Sequence, residues 1–399
     1  VCDTSFTHER TDVRSRTKTL DRMCQEAATV ASNGGAVGYW TYPLGNGAFV
    51  PSRMKRARRV REFLREREDA FLGTRSARIT AILAADPAAP ALGDDHIAGA
   101  HKALAALHRS PDIFDEAALD DAADWDLIVV PEQQVLTDET VAELTAFVEQ
   151  GGRLLSSGAT IRSPAMQRLL GVSDVRTAEV DDGHVLPGCS DEPTGVDRAW
   201  DCLILDGGEE LYPLYLSWDQ FNPEVRKLNS NWPMHGQLDE EHPEPAGFPA
   251  AIRRRIGRGE AVHICTDVFA YYRRFGDPQV LRWLREIVDM LHPEPPVTVD
   301  APSWVDVSVR IKNDTLLIHL VNQNPGRDLS RLHTDDLWVD EIPRVGRIDV
   351  AVRCAKQPAS TFLVPEGDGI PFEWDGRQLR IGLPGLHIHA CIGIPDWIV

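Results

Sequence analysis

The stretch DLIVVPEQQVLTDETVAELTAFVEQGGRLLSSG, Asp126 to Gly158, decides the fold class. LIVVP is a short unbroken apolar run, the pattern of a strand buried on both faces. Thr137 then offers a helix N-cap, Asp138 and Glu139 put acids in the first turn, and Val141, Leu144, Phe147 and Val148 form one apolar stripe at helical spacing. Gly151-Gly152 stops the helix, and RLLSS is a second apolar run ending in small polar residues. Strand, helix and strand joined by short loops form the repeating unit of a parallel, doubly wound α/β sheet.

Outward from this unit, RITAILAAD (Arg78 to Asp86) predicts another strand and HIAGAHKALAALHR its helix. Further upstream the helical spacing of Leu20, Met23, Cys24, Ala27, Ala28 and Ala31 ends at Asn33-Gly34-Gly35. AVGYWTYPL, Ala36 to Leu44, follows as a strand, and a second helix is expected from Pro51 to Phe71. Downstream, residues 172–250 are rich in Pro, Gly and acid and carry no clear period. PAAIRRRIGRGEAVHICTDVF predicts a hairpin turning at Gly257-Arg258-Gly259, and a last helix is expected over Pro278 to Leu291. After HPEPP the pattern becomes alternation in VDVSVRIKN, DTLLIHLVNQN, RIDVAVRC, STFLVPE, LRIGLPG and HIHACIGI. Short strands without intervening helices predict a small antiparallel β-sandwich.

The 399 residues exceed what one hydrophobic core usually organises, so more than one domain is expected. Lys plus Arg number 42 and Asp plus Glu 61, a formal charge of 42 − 61 = −19, which disfavours nucleic acid and anionic membrane as partners. The seven cysteines are scattered, without a C-x-x-C pair and odd in number, so neither a disulfide framework nor a zinc ribbon is indicated, and a reducing, cytoplasmic setting fits. No run has the length of a spanning helix, and VCDTSFTHER lacks the apolar core of a signal peptide. The chain begins at Val1 without an initiator Met, and the expectation is a processed or truncated piece of something longer.

A strand running sharply into a helix is where α/β enzymes display a catalytic Ser or Cys, which brings Ser156 and Ser157 forward. A serine nucleophile needs G-x-S-x-G, and the local sequence is Leu155-Ser156-Ser157-Gly158-Ala159. A class I glutamine amidotransferase, whose flavodoxin-like fold this section resembles, needs a Cys after the strand and a later His-x-Glu; neither is present, and His263 and Cys265 in the hairpin do not supply the set.

The loss fits a wider resemblance. DLIVV to LLSSG, then GVSD and IGRGEAVHICTDVF, resemble the amidotransferase-like trimerisation domain behind the barrels of β-galactosidases and related glycoside hydrolases. HLVNQNP, Ile342-Pro343, LVPEG and PGLHIHACIGI resemble the small β domain that closes the same proteins. The first section resembles the last turn of a (β/α)8 barrel of the α-L-fucosidase type. Its elements here are Cys2-Asp3-Thr4, Gly34-Gly35, YWTYP, Gly47 and Gly73-Thr74. Trp40 stands where that pattern has Asn and Tyr42 where it has Gly, so fucose specificity does not carry over.

The resemblance implies an α/β chain of three domains: a barrel end at 1–75, an amidotransferase-like assembly domain at 76–296 and a β-sandwich at 297–399. It implies a homo-oligomer, with a trimer as the family's form, and a carbohydrate substrate. In such barrels the active site lies at the carboxyl ends of the strands. Trp40 and Tyr42, two apart on AVGYWTYPL, are therefore candidate sugar contacts, against the alternative that both are core, and Asp3 is a candidate polar contact. Glycosidases need two carboxyl groups set ~5–10 Å apart, usually from different barrel strands. One barrel-like strand cannot supply both, so the catalytic pair is expected upstream of Val1.

Weaker signals point away from other chemistry. His387 and His389 would share one strand face but lack a third ligand, so no metal is expected. SRMKRARRVREFLRERE is interleaved with Glu62, Glu66 and Glu68 and reads as a solvated helix face. Gly257-x-Gly259 lacks the strand-to-helix context of a dinucleotide site, and no cofactor is expected. The reading is the non-catalytic C-terminal portion of a glycoside hydrolase. The alternative is a stand-alone scaffolding or carbohydrate-binding module.

Overall fold

All four residues of the strand Leu127–Val130 are buried, and the helix Asp138–Glu149 presents Val141, Leu144, Phe147 and Val148 to the same core. Thr137 caps that helix by accepting the Thr140 N–H at 3.1 Å. The computed structural model describes residues 2–5, 17–41, 43–85, 95–132, 136–180, 182–190, 192–217, 237–324 and 341–397. The chain is mixed α/β and divides into two compact units. One comprises Val1–Ala77, His108–Ser110 and Pro295–Val399, the other Arg78–Leu107 and Pro111–Glu294.

The first unit begins with β1 (Cys2–Ser5), α1 (Leu20–Ser32), β2 (Val37–Trp40), α2 (Pro51–Arg65), α3 (Glu68–Phe71) and β3 (Arg75–Ser76). β1 and β2 pair in parallel, Asp3 opposite Gly38 and Ser5 opposite Trp40. The single helix expected from Pro51 to Phe71 is broken at Glu66-Arg67. There Arg67 leaves helical geometry and turns its guanidinium back onto the Phe63 carbonyl at 2.8 Å.

The second unit holds β4 (Thr80–Ala84), α4 (Asp95–Ala106), β5 (Pro111–Asp115), β6 (Leu127–Val130), α5 (Asp138–Glu149), β7 (Arg153–Ser157) and α6 (Pro164–Leu170). β8 (Val172–Val180), β9 (Gly183–Val185), β10 (Thr194–Val196), β11 (Trp200–Leu205) and β12 (Glu209–Leu216) occupy the region without a sequence period. β13 (Pro245–Ile256), β14 (Gly259–Ile264), α7 (Val268–Phe275) and α8 (Pro278–Leu291) complete it. Among the described residues one sheet runs β10-β9-β12-β13-β14-β7-β6-β4-β5, parallel from β14 to β5 and antiparallel from β14 to β10. β11 pairs with β8 in a separate ribbon. The hairpin thus turns at Gly257-Arg258 as expected, and its second strand extends the parallel ladder beside β7. α4 and α7 approach so closely that a Cβ at Gly99 would collide with the Phe269 carbonyl.

The remaining strands belong to the first unit: β15 (Val297–Asp300), β16 (Val305–Lys312), β17 (Thr315–Asn322), β18 (Ile348–Arg353), β19 (Phe362–Val364), β20 (Phe372–Trp374), β21 (Gln378–Leu383) and β22 (His389–Ile394). They form two antiparallel sheets, β15-β18-β21-β20 and β19-β22-β17-β16-β3. β3 reaches the second from the other end of the chain, Ser76 opposite Arg310. Met23, Ala27, Ala28 and Val60 of α1 and α2 share a core with Val321, Ile342 and Ile388. His387 and His389 do not share a strand face: β22 starts at His389, and His387 lies in the bend before it. Backbone bonds between Leu386 and Val345 end the regular extension there. Among the described residues no helix is long and apolar enough to cross a membrane.

Candidate functional site

β2 separates its residues by side. Tyr39 donates its hydroxyl to the Met23 carbonyl at 2.6 Å and so faces α1. Alternation puts Gly38 and Trp40 on the opposite face. Trp40 ends the strand with 59 % of its surface exposed, and the following loop presents Leu44 (48 %) and Phe49 (52 %). The loop is closed by Leu44 N–H to the Ala48 carbonyl at 2.7 Å and anchored by Arg53 to the Thr41 hydroxyl at 3.1 Å. Trp40, Leu44 and Phe49 are thus three exposed large apolar side chains within ten residues, beginning at the carboxyl end of a parallel strand, and an exposed indole can stack on a flat apolar face.

Of the other two sugar-contact candidates, Asp3 lies inside β1, two residues before its end, beside Gly38. Tyr42 lies outside the described residues. Trp40 is thus solvent-facing rather than core, and the structure brings Asp3 to the neighbouring strand.

The end of β7 is a second place to look. The strand runs to Gly158, whose φ of +48° makes the sharp turn into a short 3-10 helix, Gly158–Arg162. The residue at the turn therefore has no side chain to offer. A Cβ there would collide with Asp267 Oδ1 and lie 2.9 Å from Glu132 Cγ. Ser156 and Ser157 are fully buried. Ser157 donates to Glu132 Oε1 at 3.1 Å, and the Ser156 hydroxyl lies 3.0 Å from His263 Nδ1. Burial holds His263 neutral, its pKa lowered to about 3. This Ser–His pair is closed to substrate.

Glu132, just past β6, went unread in the sequence although VVPE places an acid directly after a buried run. Its φ is +28°, and it accepts the Phe269 N–H at 2.6 Å and the Ala270 N–H at 3.1 Å, closing the first turn of α7. Burial raises its pKa from 4.5 to about 8 against these three hydrogen bonds. The Ser156–His263 contact was equally hidden, since it follows from the parallel register that puts His263 opposite Ser156. Among the described residues no group of three His, Cys, Asp or Glu is placed to hold a metal.

No protein-family model matches the chain. No curated protein matches it in sequence. Solved structures do match its fold. α-L-Fucosidase isoenzyme 2 from Paenibacillus thiaminolyticus aligns with a TM-score of 0.80 at 15 % identity, over 100 % of this chain and 60 % of that one. Gan42B, a GH42 β-galactosidase of G. stearothermophilus, aligns with a TM-score of 0.64 at 12 % identity over 98 % of this chain and 53 % of its own. The β-galactosidase of Bacillus circulans sp. alkalophilus gives 0.64 at 12 % over 99 % and 55 %. The fold of this chain is similar to the aligned part of each of these three enzymes, and the chain spans little more than half of their length.

Proposed function

We propose that this chain is the C-terminal, non-catalytic portion of a glycoside hydrolase. In this reading residues 1–75 are the last turn of a (β/α)8 barrel, the second unit is a flavodoxin-like, amidotransferase-like assembly domain, and the two antiparallel sheets are a terminal β-sandwich. The observation that carries it is Trp40, held exposed at the carboxyl end of a parallel strand in a chain whose fold aligns throughout with part of each glycosidase. Trp40 stacks on a sugar ring at the barrel mouth, with Asp3 and Tyr42 as further contacts. The acid and nucleophile or base come from strand ends outside these 399 residues. The glycine at the end of β7 supports an assembly role for the second unit, because that unit keeps the sheet and offers no nucleophile at the turn. The exposed Trp40, Leu44 and Phe49 also suit the second reading, a carbohydrate-binding module without catalysis.

The two readings separate in one experiment. The 399-residue chain and a version extended upstream in its gene are assayed on nitrophenyl glycosides, including α-L-fucoside and β-D-galactoside. The extended protein is expected to hydrolyse at least one, with Trp40→Ala raising KM about tenfold, the loss of one stacking contact. The 399-residue chain is expected to be inactive. Turnover by the short chain, abolished by changing a carboxylate within it, would place a complete site here and refute the proposal. Inactivity of both leaves the module.

A further inference from the structure

A hollow of about 620 Å³ lies in the first unit at the amino end of β2, the end opposite Trp40. That volume falls within the ~300–1,000 Å³ of small-molecule sites. Val37, Leu64, Phe71 and Leu72 supply its apolar surface, and Leu72 is 59 % exposed. Gly73, next to it, has a φ of +71° and leaves open space where a Cβ would stand. On Gly34, another lining residue, a Cβ would lie 2.6 Å from Arg310 Nη2. Arg310 also donates from Nε to the Thr74 hydroxyl at 2.7 Å and from Nη2 to the Thr74 carbonyl at 3.1 Å. One side chain thus holds the Gly34 and Thr74 walls of the hollow together.

Two exposed guanidinium groups line the same hollow. Arg61 and Arg65 stand one turn apart on α2, and among the described residues neither has a hydrogen-bond or ion-pair partner. Earlier cations of that helix are engaged: Arg53 donates to the Thr41 hydroxyl and Arg56 to the Lys18 carbonyl at 2.6 Å. Like charges one turn apart repel, so this pair costs the helix something unless an anion joins it. Glu68 is the one acid among the lining residues and pairs with neither arginine, while Glu62 and Glu66 line a different cleft. The lining therefore carries two positive charges against one negative, with the Arg310 guanidinium against its Gly34 wall. The net charge of −19 acts from further away, and at physiological salt charges beyond ~8 Å are largely screened.

This combination selects a ligand class. A cation would meet two unpaired guanidinium groups. A small inorganic anion would satisfy them and leave the apolar wall wet. A molecule with a carboxylate at one end and an apolar body at the other uses both features: the guanidinium fork matches a carboxylate, and the body removes Val37, Leu64, Phe71 and Leu72 from water.

We propose that this hollow binds an organic carboxylate with an apolar body. Arg61 and Arg65 hold the carboxylate, and the apolar wall takes the body. The site lies at the other end of β2 from Trp40 and does not depend on the proposed catalytic role.

Calorimetric titration of the 399-residue chain with octanoate tests this, with 1-octanol, acetate and octylammonium as controls. Octanoate is expected to bind at millimolar concentration or below, and each control about tenfold more weakly. Arg61→Met and Arg65→Met keep good helix formers at exposed positions, and each is expected to weaken octanoate about tenfold. Leu72→Asp, also exposed, is expected to abolish binding. Lys55→Met makes the same change of charge on α2 outside the hollow and is expected to leave binding unchanged. Should an arginine variant fail to fold, raising salt about tenfold on the parent chain carries the same test, with a severalfold loss for octanoate and none for octanol. No octanoate binding, equal affinity for octanol or octylammonium, or an equal loss in Lys55→Met would each overturn the proposal. Binding that disappears in the protein extended upstream, or that breaks up an oligomer, would overturn it too, since a protein segment would then cover the hollow. Hydrolysis by the extended protein reports on the catalytic reading alone.

Discussion

Glu132 holds a carboxyl where ionisation is costly. Burial is the largest influence on it and Asp267 adds to the rise, while two backbone N–H groups and Ser157 oppose both. With a folded pKa of about 8 against an ordinary 4.5, the folded protein binds more protons than the unfolded chain between those values. The contribution to stability is complete below the lower value and is lost as pH rises through the upper one. Glu132→Gln removes the ionisation. Subtracting its unfolding free energy from that of the parent should give a difference that falls, from about pH 5 to about pH 8, by up to ~1.4 kcal/mol per pH unit. Urea titrations of both proteins across that range measure it, and a flat difference would mean that the carboxyl ionises normally.

The turn at the end of β7 is specified by one glycine. Gly158→Cys would put back a nucleophile at the point where α/β enzymes carry one, but the new Cβ meets Asp267 and Glu132 and the backbone is at φ +48°. The expected result is a loss of ~1–3 kcal/mol in unfolding free energy and no amidase activity; an active, equally stable variant would contradict it. Elements like this one differ in how far they can be read from sequence. β6, α5 and β7 carry their own signals: an unbroken apolar run, Thr137 as cap, a Gly-Gly stop. α8 matches its expected span because Asp277 caps it by accepting the Gln279 N–H and Pro278 starts it. Pairings between distant segments have no such local mark. β14 joins β7 in parallel, β3 joins β16 from the far end of the chain, and His389 meets His319 rather than His387. The candidate site was legible in part for the same reason. Trp40 sits in a strand with local signals, whereas Ser156 and His263 come together only through the tertiary fold.

At the scale of the molecule, the proposed assembly role predicts a mass. Sedimentation equilibrium at micromolar concentration should give a closed multiple of the 44.3 kDa chain, three for a trimer, and a strict monomer would end that proposal. The net charge of −19 sets copies against one another, so association should tighten as salt is raised through the physiological range. The chain also folds back on itself. Gln25 of α1 donates to the Asn322 carbonyl of β17, 297 residues later, and the first unit is built from both ends of the chain. On a ribosome adding about 5–20 residues per second, roughly 15–60 s separate the emergence of those two partners. Through that interval Met23, Ala27 and Ala28 of the nascent helix wait without the strands that will cover them. The second unit's sheet, all of it between Thr80 and Ile264, can close meanwhile. Translation therefore imposes an order: the second unit, which lies in sequence between the two longer parts of the first, can be finished first, and the first is sealed only when the strands after Val297 emerge.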